Sequence, residues 1–185
     1  MKVSTNKKEL TTLGACKEGF DIFVDAHGDN EAMFSQCLES NDWEDMWWLI
    51  YKIYTELTIE QTNSLHLLGC HWAEKTLINF ESAFPDDNRP RLAIAAKRDF
   101  INGNISLEDL NKAYAAAYAA SSAADSADSA SSAAAYSAYS AHSAAYSAYA
   151  AAHSAAYASD SSSDSARSEQ KQDLMELSLI WEVKQ

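Results

Sequence analysis

His66, Cys70 and His71 fall within one short stretch of this 185-residue chain, and imidazole and thiolate are common ligands of zinc. Their spacing argues against a metal site. On a helix His66 and Cys70 share a face, whereas His71 is rotated about 100° further, and no fourth ligand is evident. A packed cysteine beside two ordinary histidines accounts for the pattern, so neither a metal nor a cofactor is expected. Cys16 and Cys37 would act as nucleophiles only beside a general base in an electropositive setting, which this acidic sequence does not offer. The acidic groups around Asp42 or Asp86 leave a hydrolase as a weak alternative, and no catalytic residue is assigned. Three cysteines without a C-x-x-C pair read as reduced thiols of a cytoplasmic protein.

Recognition chemistry is better represented than catalysis. In Phe84-Pro85-Asp86-Asp87-Asn88-Arg89-Pro90-Arg91, two prolines stiffen a turn that carries two carboxylates and two guanidinium groups, which lowers the entropy cost of binding a partner. Asp86, Asp87, Arg89 and Arg91 are therefore candidate partner-binding residues. The alternative is structural, with Arg89 and Arg91 paired to Asp86, Asp87 or Glu81 to hold one helix end against another.

A second candidate surface lies in the tract from Ala113 to Ala158, whose 46 residues comprise 24 Ala, 11 Ser, 7 Tyr, 2 Asp and 2 His. Tyr136, Tyr139, His142, Tyr146, Tyr149, His153 and Tyr157 follow at steps of 3, 3, 4, 3, 4 and 4, which aligns their rings on one stripe of an α-helix. Alanine favours helix, and glycine and proline are missing from the tract. Aligned tyrosines suit an interface or a homodimer seam, or they cover the protein's own core in place of the missing leucine and isoleucine. A period near 3.67 residues also explains the 11-residue repeat of the rings, so an ice-binding surface is not required.

The elements that carry these groups read as helices throughout. Asn41 precedes Glu44 by three residues, Thr58 precedes Gln61, and Ser106 precedes Asp109, each in the manner of a capping box. Gly14, Gly19 and Gly28 divide the first thirty or so residues into short helical pieces, one with Phe20, Phe23 and Val24 as its apolar face. Residues 42–57 predict a core helix through Met46, Trp47, Leu49, Ile50, Ile53, Tyr54 and Leu57. A longer helix is predicted from Ile59 to about Ala83, with Leu65, Leu68, Trp72, Leu77 and Phe80 facing the core. Pro90 opens the next helix, and Gly103 and Asn104 stop it.

One helix from Ala113 to Ala158 would extend roughly 70 Å. A break is expected between Ser121 and Ser132, leaving helices near 106–124 and 128–158. Leu174, Leu177 and Trp181 then mark an amphipathic closing helix. The expected fold class is all-α, a helical bundle with two long Ala-rich helices and a closing C-terminal helix, and no strand. Its parts are a helical core at 1–111, an Ala/Ser/Tyr-rich hairpin at 112–158, a linker at 159–166 and the last helix at 167–185.

Ile78-Asn79-Phe80-Glu81, the phrase from Pro85 to Arg91, Ala93-Ile94-Ala95-Ala96 and the Ala-rich tract after Lys112 together resemble the Imm-5-like immunity proteins of bacterial and phage genomes, over roughly Leu65 to Ala158. The resemblance implies a protein that neutralises a toxin by binding it. Composition is compatible with that role. The formal net charge of −13 disfavours direct contact with nucleic acid or an anionic membrane, and no segment has the length and apolarity of a transmembrane helix.

The expected function is thus a non-catalytic inhibitor in the cytoplasm, with a toxin, effector or host enzyme as its protein partner. The alternatives are a phage-encoded assembly protein forming a homo-oligomer through the tyrosine stripe, and an acidic DNA mimic that blocks a nuclease or DNA-binding protein.

Overall fold

A computed structural model of the protein describes residues 4–126, 136, 139, 141 and 163–183. The described chain is all-α, with one minimal strand pair, and it divides into two compact units, Met1–Thr62 with Lys171–Gln185, and Asn63–Gln170.

The first unit begins with β1 (Ser4–Thr5), α1 (Lys7–Leu13) and α2 (Lys17–His27), followed by β2 (Ala32–Met33), α3 (Phe34–Ser40) and α4 (Trp43–Ile53). The strands pair antiparallel, Ser4 with Met33 and Thr5 with Ala32. No strand is foreseen from the sequence because two residues on each side are too short for an alternating pattern to register. Local chemistry sets the helix ends. The Asn6 side chain accepts from Glu9 N at 3.0 Å, and Gly14 ends α1 at φ 78°, a left-handed conformation that costs glycine little.

Gly19 departs from the expected punctuation. It lies inside α2 and is buried there, because a Cβ at this position would stand 2.3 Å from Asp45 Oδ1. Asp45 is pinned in that position: Asn41 Nδ2 donates to its Oδ2 at 3.0 Å and to Gly19 O at 2.8 Å. Asn41 is thereby taken up by tertiary bonds. The cap of α4 falls one residue later than the sequence suggests, on Asp42, whose Oδ1 accepts from Asp45 N at 2.8 Å. Alanine in place of glycine inside a helix ordinarily stabilises by about 1 kcal/mol. For Gly19→Ala the sign is expected to reverse, with a net loss of about 1–2 kcal/mol from overpacking, measured as a lower urea midpoint; an unchanged or raised midpoint would show that Asp45 moves aside freely.

The α4 helix buries Trp43, Met46, Trp47, Leu49 and Ile50, with the indoles of Trp43 and Trp47 edge to face at 6.0 Å. It ends at Ile53 in a 3₁₀ turn over Tyr54–Glu56, earlier than the expected Leu57. Tyr54 is consequently exposed.

Next comes α5 (Ile59–Ala83), opened by the expected reciprocal capping box. Thr58 N donates to Gln61 Oε1 at 3.0 Å and Gln61 N to Thr58 Oγ1 at 3.2 Å. In the second unit α5 is followed by α6 (Arg89–Ile101) and α7 (Leu107–Ser126). Asp109 N donates to Ser106 Oγ at 3.2 Å at the head of α7, again as the spacing predicts.

The last helix, α8, spans Ser163–Val183, so residues 163–166 are helical rather than linker. Its later portion lies in the first unit, where Leu174, Ser178 and Trp181 are buried. There Glu182 accepts from Ser35 N and Ser35 Oγ, both at 3.0 Å, and Lys171 Nζ donates to Asn41 O at 2.8 Å.

Candidate functional site

The Ala-rich helix α7 determines how the second unit presents its turn. Ala117, Ala120, Ser121 and Ala124 are buried, and their spacing places them on one helical face. Methyl groups along that face let a neighbouring element approach closely. Phe80 of α5 packs against Ala120 and Ala124, with Phe84 alongside, and the Phe80 and Phe84 rings stack at 5.0 Å. Phe84 directly precedes Pro85 in the chain, so this packing anchors the start of the turn.

In the turn itself, Asp87 accepts from Arg89 N at 3.1 Å and from Arg89 Nε at 2.9 Å through Oδ1, and from Nη2 at 2.6 Å through Oδ2. This fork holds the Asp87 carboxyl below the usual carboxylate range, since hydrogen bonds from the guanidinium favour the charged form. Arg91 makes a second fork, Nε to Glu81 Oε1 at 2.6 Å and Nη2 to Oε2 at 2.7 Å. A third pair joins Arg98 Nη2 to Glu74 Oε2 at 2.8 Å.

Glu74 and Glu81 are seven residues apart on α5, as are Arg91 and Arg98 on α6. The two pairs therefore repeat after about two helical turns and fix the register of an antiparallel hairpin. Exposed pairs of this kind contribute about 0–1 kcal/mol each, so their effect is on alignment more than stability. Of the four candidate residues in the turn, Arg89 and Arg91 make the structural pairings weighed for them, while Asp86 is exposed. Glu74 and Arg98 escape the sequence reading, because the seven-residue offsets Glu74 to Glu81 and Arg91 to Arg98 become a pairing only once α5 and α6 are known to run antiparallel.

Of the ring stripe, Tyr136 and Tyr139 are described. They are 43% and 38% exposed, whereas Ala141 is fully buried in a cluster with Cys70, Ala73, Leu77 and Ile94. A small residue thus enters the core here while both rings remain accessible. His142, Tyr146, Tyr149, His153 and Tyr157 lie outside the described residues.

The metal-ligand types do not converge. Cys70 and His66 are buried and His71 is exposed, and no group of three His, Cys, Asp or Glu able to hold a metal occurs among the described residues. Burial pushes the Cys37 thiol up to about 12 and the Cys70 thiol up to about 11, which leaves both protonated and unreactive near neutral pH. Cys16 is exposed and serves as the cap of α2, accepting from Gly19 N at 3.3 Å. No described helix is long and apolar enough to cross a membrane.

Neither the curated proteins nor the solved structures yield a match. The family model described as Imm-5 like putative immunity protein matches residues 56–178, which is more than half of the chain and includes the whole turn, its paired arginines and the Ala-rich tract. The chain belongs to the Imm-5 like putative immunity protein family.

Proposed function

We propose that the protein is a non-catalytic inhibitor that neutralises a toxin or effector in the cytoplasm by binding it. The observation that carries this reading is family membership over 56–178. Two surfaces within that range supply the chemistry. Asp86, Asp87, Arg89 and Arg91 stand on a turn braced by two prolines and the Arg forks, so little ordering remains to be done on binding. Tyr136 and Tyr139 present aromatic area, and the sequence repeats rings at steps of 3 and 4 through His142, Tyr146, Tyr149, His153 and Tyr157. The net charge of −13 favours a basic partner and speeds encounter with it.

The exposure of Tyr136 and Tyr139 also favours a second reading, in which the stripe joins copies of this chain in an assembly.

The test is capture of the partner from native cells, followed by its enzymatic assay with and without the purified protein. Stoichiometric loss of the partner's activity is the expected result; recovery of this chain alone as a defined oligomer would move the assignment to assembly. The double substitution Tyr136→Ala and Tyr139→Ala is expected to weaken the complex by at least about 30-fold, the equivalent of about 2 kcal/mol at a hot spot, measured at a temperature where the variant is shown to be folded. Full affinity in that variant would remove the two rings from the interface.

A further inference from the structure

Within the second unit, α5 carries an exposed ridge that the inhibitor reading does not use. Leu67, His71, Glu74 and Ile78 follow at steps of 4, 3 and 4, which confines them to about 60° of the helix circumference. All four are exposed, Leu67 at 37% and Ile78 at 63%. The buried Leu65, Trp72, Ala73 and Phe80 fall on the far side of the same helix.

Exposed apolar residues are ordinary one at a time, and it is their order that is informative here. Read from the other end, the spacing of the ridge is unchanged and each residue meets a complement. Leu67 aligns with Ile78, and His71 aligns with Glu74. One further step of 4 at either end reaches Asn63 and Ser82, which are both polar. A contact between identical chains about a two-fold axis requires a surface that matches itself in this way, whereas a foreign partner imposes no such condition.

The charges on and beside the ridge allow the approach. Glu74 accepts from Arg98 at 2.8 Å. A carboxylate has about four acceptor sites, so an imidazole N–H from a second copy adds to that bond without displacing it. Lys75, next to the ridge, is matched by Glu169 at 2.7 Å, which offsets repulsion between the lysines of two copies.

We propose that α5 forms an antiparallel two-fold seam between two copies of this chain, with Leu67 against Ile78 of the second copy and His71 donating to Glu74 of the second copy. The ridge from Asn63 to Ser82 is about 28 Å long and one helix wide, a contact smaller than the roughly 800 Å² per partner of a stable interface. The dimer is therefore expected at about 100 µM, with the monomer prevailing below about 10 µM. The seam uses none of the residues assigned to toxin binding, so it stands or falls separately from the inhibitor reading.

The experiment is analytical ultracentrifugation of the full-length protein from about 5 to about 500 µM. The wild type should pass from monomer to dimer across that range. Leu67→Glu and Ile78→Lys each set a charge against an apolar side chain and should weaken the dimer at least about tenfold. The double variant places a carboxylate opposite an ammonium twice across the axis, and should return to within about threefold of the wild type. Thermal melts confirm that each variant is folded, and the Tyr136→Ala, Tyr139→Ala protein should dimerise as the wild type does.

A wild type that stays monomeric throughout would overturn the proposal, as would single variants that dimerise unchanged. Failure of the double variant to recover would exclude the antiparallel register. Loss of the dimer in the tyrosine variant would move the seam from α5 to the rings.

Discussion

Replacing Phe80 with alanine is expected to lower the unfolding free energy by about 3–5 kcal/mol. Phe80 is 1% exposed and rests on the methyl groups of Ala120 and Ala124, with the Phe84 ring stacked beside it. Alanines have no longer side chain with which to fill the space, so α7 cannot close over it without moving its backbone. The loss therefore belongs at the costly end of the range for large-to-small substitutions, where relaxation is poor. It is also a sizeable share of the roughly 5–15 kcal/mol that holds most domains folded.

Ile78 provides the control. It lies on the same helix but is 63% exposed, so Ile78→Ala should change stability by no more than about 0.5 kcal/mol. Urea unfolding of both variants checks the contrast, and similar midpoints would show that α7 does not depend on Phe80.

The second large effect is on pH dependence. Burial pushes the His66 imidazole from 6.5 down to about 4, and the nearby Lys97 ammonium acts in the same direction. The folded protein keeps this ring neutral between those values while the unfolded chain protonates it. The unfolded state then holds the extra proton, so stability is complete above about pH 6.5 and falls as the pH is lowered toward 4. A tenfold difference in proton affinity between the two states is worth about 1.4 kcal/mol, so the loss across the window is on the order of 3 kcal/mol.

Asp87 and Glu169 also contribute to acid sensitivity, because Arg89 and Lys75 hold their carboxyls below the usual range. Their contributions are present above the unfolded carboxylate range and disappear at lower pH, below the start of the imidazole window. Unfolding measured from about pH 7 to pH 5 in the wild type and His66→Gln isolates the imidazole. The slope should be shallower in the variant, and identical slopes would exclude His66 as its source.

The parts of the fold that were legible in sequence depend on neighbours a few residues away. Thr58 with Gln61 and Ser106 with Asp109 mark helix starts because both partners of each capping interaction lie within one turn. Asn41 has the same local appearance, yet its amide is bonded to Gly19 O, 22 residues earlier in the chain. Gly19 likewise reads as punctuation, and only the position of Asp45 explains why glycine is needed inside a helix.

The candidate site shows the same division. Residue types and short range made the Arg89–Asp87 and Arg91–Glu81 pairings foreseeable, while Glu74 with Arg98 required knowing that α5 and α6 run antiparallel in register.

The two ion pairs that hold α5 against α6 also bear on the order in which the chain can assemble. The closing pairs join residues 10 and 24 positions apart, so bringing them together confines only a short loop, whose entropic cost is lower than that of more distant contacts. Segments closed by such local contacts form quickly relative to those that wait for remote partners. The hairpin is thus one portion of the second unit suited to form early, since its closing contacts do not wait for the C-terminal helix.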